Sequence, residues 1–209
     1  MKILGIDFSI NKPAVCIYDR EKYTFYSWPF GLSEKIKTIY RDAGVNLFDR
    51  TDVKYKGTDS SEKMRWEVNN SIYLTEAMII GMPDGHMKDW KVVFEGLSFG
   101  SKGNVALQLG GYKYMLMKAF FDECVPFENM YTYAPITIKK TAGCSKKGMG
   151  KKDMIDAFVQ NSAPNPLKNA ILKDPDKFKK KTGTWIDHLD DLVDAYWAIE
   201  TYQEKMEKN

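Results

Sequence analysis

KILGIDFSINKPAVCIYDREKYTFYSW, residues 2–28, decides how the chain folds. Lys2 to Ile6 is a short, mostly apolar run that ends on an acid, Asp7. Ala14 to Tyr18 and Tyr23 to Trp28 are two more strand-like runs with charged turns between them. Parallel neighbours need a crossover of about a dozen residues or more, so three strands this close together predict an antiparallel meander. From Gly31 to Ser61 the pattern weakens to a loop region with one short helix. Met64, Val68, Ile72, Thr75 and Ile79 then recur at helical spacing, and Trp66, Tyr73, Ala77 and Ile80 give that helix a second apolar face. Met82-Pro83-Asp84-Gly85 ends it with strong breakers.

Further on, Lys91 to Phe94 reads as a buried strand that also ends on an acid, Glu95. A loop, Gly96 to Gly103, leads into a helix from about Val105 to Glu123, and Tyr131 to Ile138 is another strand-like run. Helices over Lys152 to Gln160 and Asp187 to Met206 finish the chain, separated by the Pro- and Lys-rich stretch Ser162 to Thr184. A meander followed by alternating helices and strands reads as α/β with a mixed sheet of five strands flanked by helices. No repeat or linker marks a second domain, and 209 residues suit one.

Apolar residues at 44% and aromatics at 13% exclude a disordered chain. No run approaches the roughly 20 apolar residues that span a bilayer. The opening MKILGIDFSI is too short and too acidic for a secretory leader, so a cytoplasmic protein is expected. Cys16, Cys124 and Cys144 form no CxxC pair, which suits thiols in a reducing compartment. The net charge of +3 hides an asymmetry: between Ala134 and Lys181 stand 12 lysines against four aspartates, while all four arginines lie elsewhere. Lysine meets phosphates as a point charge, whereas bidentate reading of guanine favours arginine. A polyanion recognised by charge and shape fits this distribution better than direct base readout.

The acids carry the chemistry. Asp7 and Glu95 each end a hydrophobic strand, where sites gather in open sheets. Asp187, Asp190, Asp191 and Asp194 fall within an arc of about 100° on one helix face. Capping and the helix dipole account for the first two, but not for Asp194, two turns in and followed by Ala195-Tyr196-Trp197. Such a cluster at the edge of a core is costly unless a cation neutralises it, and all-oxygen ligands select Mg²⁺ or Mn²⁺ over zinc. Two metals could activate a water and stabilise the leaving oxygen in phosphodiester cleavage. Of the two histidines, His188 lies one turn before Asp191, where it could assist at the rim of the site, but a surface role is the preferred reading.

Four segments in order resemble the RuvC-like Holliday junction resolvases of the RNase H superfamily. ILGIDFSINKPAVCIY is similar to their first strand, its acid and the hairpin that follows. VVFEGLSFGSKGNVALQLGGYKYML resembles their second motif, an acid, a loop with an aromatic and a Leu-Gly helix. ITIKKTAGCSKKGMGKKDMI is similar to their basic segment, and DDLVDAYWAI to their closing pair of acids. The resemblance implies an RNase H-like fold in which Asp7, Glu95, Asp191 and Asp194 hold two Mg²⁺ ions, with Mn²⁺ able to substitute. It implies that Lys139 and either Lys151 or Lys152 approach the scissile phosphate, Lys152 being taken as the catalytic one. Phe99, with Leu97 as the alternative, would wedge into the junction, and Lys102, Lys140, Lys146 and Lys147 would add DNA contacts. The segment Ser162 to Thr184 has no clear counterpart in the family.

The expected function is therefore paired nicking of four-way or other branched DNA by a homodimer, whose symmetry matches a nearly two-fold junction. The doubly apolar helix at Met64 to Ile80 is the candidate interface. The divergence resembles phage-encoded members, which would place the protein in the host cytoplasm. RNase H-type cleavage of RNA in hybrids shares the same site, and a non-catalytic junction-binding module shares the fold. A sugar kinase or actin-like ATPase would need two such domains and a second phosphate loop, for which the chain has no room.

Overall fold

A computed structural model describes residues 1–9, 11–50, 55–81, 87–96 and 104–208. The meander is present: β1 (Ile3–Asp7), β2 (Ala14–Asp19) and β3 (Lys22–Ser27) pair antiparallel in turn. After α1 (Glu34–Asp42), the edge strand β4 (Val45–Leu47) pairs parallel with β3. The long helix α2 (Ser60–Gly81) precedes β5 (Lys91–Glu95), which lies parallel to β1 on its free side. Then come α3 (Asn104–Asp122), β6 (Met130–Tyr133) parallel to β5, α4 (Pro135–Thr141) and α5 (Lys151–Asn161). The chain continues through α6 (Pro166–Lys173) and closes with α7 (Leu189–Glu207).

The sheet is mixed, in the order β4-β3-β2-β1-β5-β6. It has six strands where five were expected, because β4 is only three residues long and Val45-Asn46-Leu47 is too short to show a period. The run Tyr131 to Ile138 also divides: the strand stops at Tyr133, and Pro135 opens a helix at its first position, where its missing N–H costs nothing.

Strand alternation sorts the core into two layers. Ile3, Cys16, Phe25 and Val93 pack under α7, α5 and α1 with Tyr196, Phe158 and Tyr40. Leu4, Ile6, Val15, Val92 and Phe94 face the other way onto Leu74 of α2 and Leu116 and Phe120 of α3. The helix α2 buries Asn70 and Leu74, leaving Met64, Val68 and Ile72 at 61%, 39% and 44% exposure. Among the described residues no helix is long and apolar enough to cross a membrane, and Cys16, Cys124 and Cys144 are free thiols.

Candidate active site

β1 and β5 run side by side in parallel register, Ile6 opposite Phe94, so Asp7 and Glu95 come out together at the same edge of the sheet. Ile3 and Gly5 face α7, and alternation turns Asp7 the same way; Val93 does the same for Glu95. At Gly5 the absent side chain lets α7 approach until a Cβ there would stand 2.1 Å from the Ala195 carbonyl oxygen. The residue before Ala195 is Asp194. One oxygen from each of Asp7, Glu95 and Asp194 lies within 4.8 Å of the others.

Burial and the fields of Glu95, Asp191 and Asp194 hold the Asp7 carboxyl well above the usual aspartate range. Burial and Glu95 do the same to Asp194. Burial also raises Glu95, which is hydrogen-bonded to Asp7, a contact that needs a proton on one of the two. Three half-buried carboxylates competing for protons form a hard, all-oxygen, anionic donor set that fits a divalent cation of the magnesium or manganese kind.

Asp191 stands beside this triad and behaves differently. Burial pushes its carboxyl up, but the hydrogen bond and field of His188 together with the fields of Lys151 and Lys12 hold it below the usual aspartate value. His188 Nδ1 lies 2.8 Å from Asp191 Oδ2, and Nε2 lies 2.5 Å from Ser27 Oγ. Ser27 in turn donates to the Pro13 carbonyl at 2.7 Å. The imidazole is buried at 1% exposure, edge-on to Tyr40 with centroids 6.1 Å apart. The expectation of a surface histidine is therefore corrected. The cause is backbone geometry: His188 has a left-handed φ of 77° just before α7 and is turned inward by it.

Several lysines approach the acids. Lys151, the first residue of α5, contacts Asp190 through Nζ and lies 4.0 Å from Asp191. Burial works against its charge, yet the Asp190 hydrogen bond and the fields of Asp190, Asp191 and Asp194 raise its pKa above that of an ordinary lysine. Lys152, the expected catalytic lysine, is exposed and makes no ion pair with these acids. One helix residue is a turn of about 100°, which points the two side chains apart. Lys139 on α4 is half-buried and lowers Glu95 through its field, whereas Lys140, Lys146 and Lys147 are exposed and farther along the same segment. Phe99, Leu97 and Lys102 lie outside the described residues.

Two cations escaped the sequence reading. Lys12 in the β1–β2 turn helps to lower both Asp187 and Asp191. Lys113 of α3 is half-buried with Nζ 5.8 Å from the Phe94 ring centroid; burial lowers its pKa while Glu95 raises it. Lys113 sits three and seven residues before Leu116 and Phe120, on the buried stripe of its helix. A lysine in an apolar stripe was the signal that could have found it.

No protein-family model matches the chain, and no curated protein matches it in sequence. Among solved structures the chain is similar to Thermus thermophilus RuvC, with 14% identity, 99% of this chain and 97% of that one covered, and a TM-score of 0.48. It is also similar to the fowlpox virus Holliday junction resolvase, with 16% identity, 99% of each chain covered and a TM-score of 0.46. For T. thermophilus RuvC in complex with a Holliday junction substrate the identity is 14%, the coverage 98% and 96%, and the TM-score 0.45. Likeness this loose carries no argument about activity, which rests on the site.

Proposed function

We propose that this protein is a divalent-metal-dependent endonuclease of the RuvC-like kind that nicks four-way and other branched DNA. The observation that carries the reading is the convergence of Asp7, Glu95 and Asp194, with oxygens within 4.8 Å of one another, from two parallel strand ends and one helix. The order of the four sequence motifs supports it, as does the lysine-rich half of the chain, suited to a phosphate backbone.

In this reading Asp7, Glu95, Asp194 and Asp191 would hold two Mg²⁺ ions. Bound cations would supply Lewis-acid activation of the attacking water and relief of charge on the phosphate. The water would attack phosphorus in line and release a proton to solvent, the bond from phosphorus to the 3′ oxygen would break, and that oxygen would take up a proton from solvent. The products are a 5′-phosphate and a 3′-hydroxyl. Lys151 sits where it can offset charge developing on the phosphate oxygens, and His188 fixes the rotamer of Asp191. Lys139 and Lys113 flank Glu95 from the two faces of the sheet. The exposed stripe Met64, Val68 and Ile72 supports a second copy as its partner, because two sites related by two-fold symmetry suit paired nicks in a four-way junction.

The test is cleavage of an immobile four-way junction beside linear duplex, a fork and an RNA–DNA hybrid, with Mg²⁺, Mn²⁺ or chelator. Metal-dependent nicks in branched DNA, absent in Asp7→Asn while junction binding persists, are the expected result. Selective loss of the RNA strand in the hybrid would move the protein to hybrid cleavage. Binding without cutting in any metal would overturn the enzymatic reading.

A further inference from the structure

We propose that the segment between α5 and α7 builds a separate duplex-binding surface that holds a DNA arm leaving the acid cluster. The proposal rests on the nuclease reading and deepens it, assigning the lysines of this segment a particular part of the substrate.

In sequence the lysines of this segment, Lys177, Lys179, Lys180 and Lys181, suit either a wider DNA footprint or a soluble surface. Folded, the segment is anchored. Asn165 caps α6 by accepting from the Lys168 amide at 2.8 Å, and Leu167, Ile171, Phe178 and Ile186 are buried in the main core. Lys179 and Trp185 pair across an antiparallel bridge, and Lys180 reaches Asp187 at 2.6 Å. Charges on an anchored platform lose little freedom when a polyanion docks, so the lysines can act together.

The platform borders a groove of about 710 Å³ against α1, lined by Lys35, Lys177, Lys179, Lys180 and Lys181. Lys180 and Ile186 also line a second groove of about 490 Å³, which runs on to Lys151 and Asp190 at the acid cluster. The two grooves are neighbours across Lys180 and Ile186, one reaching Lys151 and Asp190 and the other α1. Acids share their walls, but Asp174 is taken by Lys177 at 3.5 Å, and Asp187 and Asp190 by Lys180 and Lys151. Asp42 and Asp176 remain, against Lys35, Lys152, Lys179 and Lys181, for which no carboxylate partner is found among the described residues. Lys179 instead lies 5.4 Å from the Trp185 ring centroid.

Adjacency to the acid cluster selects the occupant: a polymer cut there has an arm that passes these grooves. The absence of arginine from the segment makes the contact one of phosphate charge, indifferent to base sequence.

The experiment compares wild type with the triple variant Lys35→Ser, Lys179→Ser, Lys181→Ser, and with Lys→Arg at the same positions. Binding is measured in chelator, over a salt series, to a four-way junction with long arms and to the same junction with its arms cut short. We expect the serine variant to bind the long-arm junction roughly tenfold more weakly at moderate salt. Its log–log salt slope should fall by two to three units, at about 0.9 per lost phosphate contact. Affinity for the short-arm junction stays the same, and the arginine variant restores the long-arm value. Unchanged long-arm affinity, or equal loss on both junctions, overturns the proposal. Failure of the nuclease reading is separate: it appears as wild type that cuts no substrate in any metal.

Discussion

Gly5 and Ala195 meet backbone to backbone, with room for a Cβ at position 5 only 2.1 Å from the Ala195 oxygen and 2.8 Å from Ile199 Cγ1. This contact sets how deep α7 sits on β1, two residues from Asp7 and one from Asp194. Gly5→Ala has no flexible neighbour to displace, since the nearest atom belongs to the backbone of a buried helix. We expect a loss of about 3 kcal/mol in urea unfolding. We also expect Mg²⁺ to raise the melting temperature less than in wild type, because α7 carries Asp194 outward. A variant of wild-type stability would show that the helix is free to shift.

His188 binds Asp191 on one side and Ser27 on the other. His188→Asn keeps a residue that tolerates the left-handed backbone but cannot span to Asp191. Loss of such an outer partner typically weakens metal binding about 10–100-fold. The expected outcome is a half-saturating Mg²⁺ concentration for nicking raised by that order, with junction affinity in chelator unchanged. An unchanged metal requirement would leave His188 a packing residue.

Neighbouring lysines give a sharp contrast. Lys151 reaches Asp190 and Asp191, and Lys152 does not. Removing one charge-stabilising donor commonly costs about 10²–10³ in kcat. Lys151→Met should lose that much in single-turnover nicking, while Lys152→Met changes the rate only slightly and weakens binding. The reverse ranking would favour Lys152 as the catalytic lysine.

Stability should depend on pH with a definite sign. Asp7, Asp194 and Glu95 keep protons in the folded state that the unfolded chain releases. By linkage, folding stability in chelator falls as pH climbs above the ordinary aspartate value of 3.8 through the raised values. Asp191, held low, acts the other way: it stabilises above 3.8, and that contribution is lost as pH falls through its lowered value. Thermal melts in chelator should therefore decline as pH climbs from the ordinary carboxylate range through the raised values and then level off, and Mg²⁺ should flatten the decline. Asp7→Asn should melt about 3 °C or more above wild type in chelator at neutral pH. A lower melting point for that variant would contradict the repulsive cluster.

The meander was legible because its turns are too short for any other pairing, and the strand-end acids because each breaks an apolar run. The helical period of Asp191 and Asp194 was equally plain. Other features left weaker marks. Three residues of β4 carry no period. Pro135 marks a helix start that a run of β-branched and aromatic residues concealed. In α6, Leu167 and Ile171 stand four apart, yet the surrounding lysines and prolines read as loop. The burial of His188 depends on one positive φ, which an L-residue other than glycine does not announce. Which of Lys151 and Lys152 stands nearer Asp190 and Asp191 needed the phase of α5 against α7, a tertiary fact.

The acids of the cluster are spread over 187 positions of the chain, from Asp7 to Asp194, and the last of them rides on the closing helix. On a ribosome adding about 5–20 residues per second, the sheet edge bearing Asp7 and Glu95 is made seconds before α7 emerges. A growing chain thus carries two of the three converging carboxylates with nothing to close them. Closure of the cluster therefore waits for α7, which is made after the sheet edge that carries the other two acids.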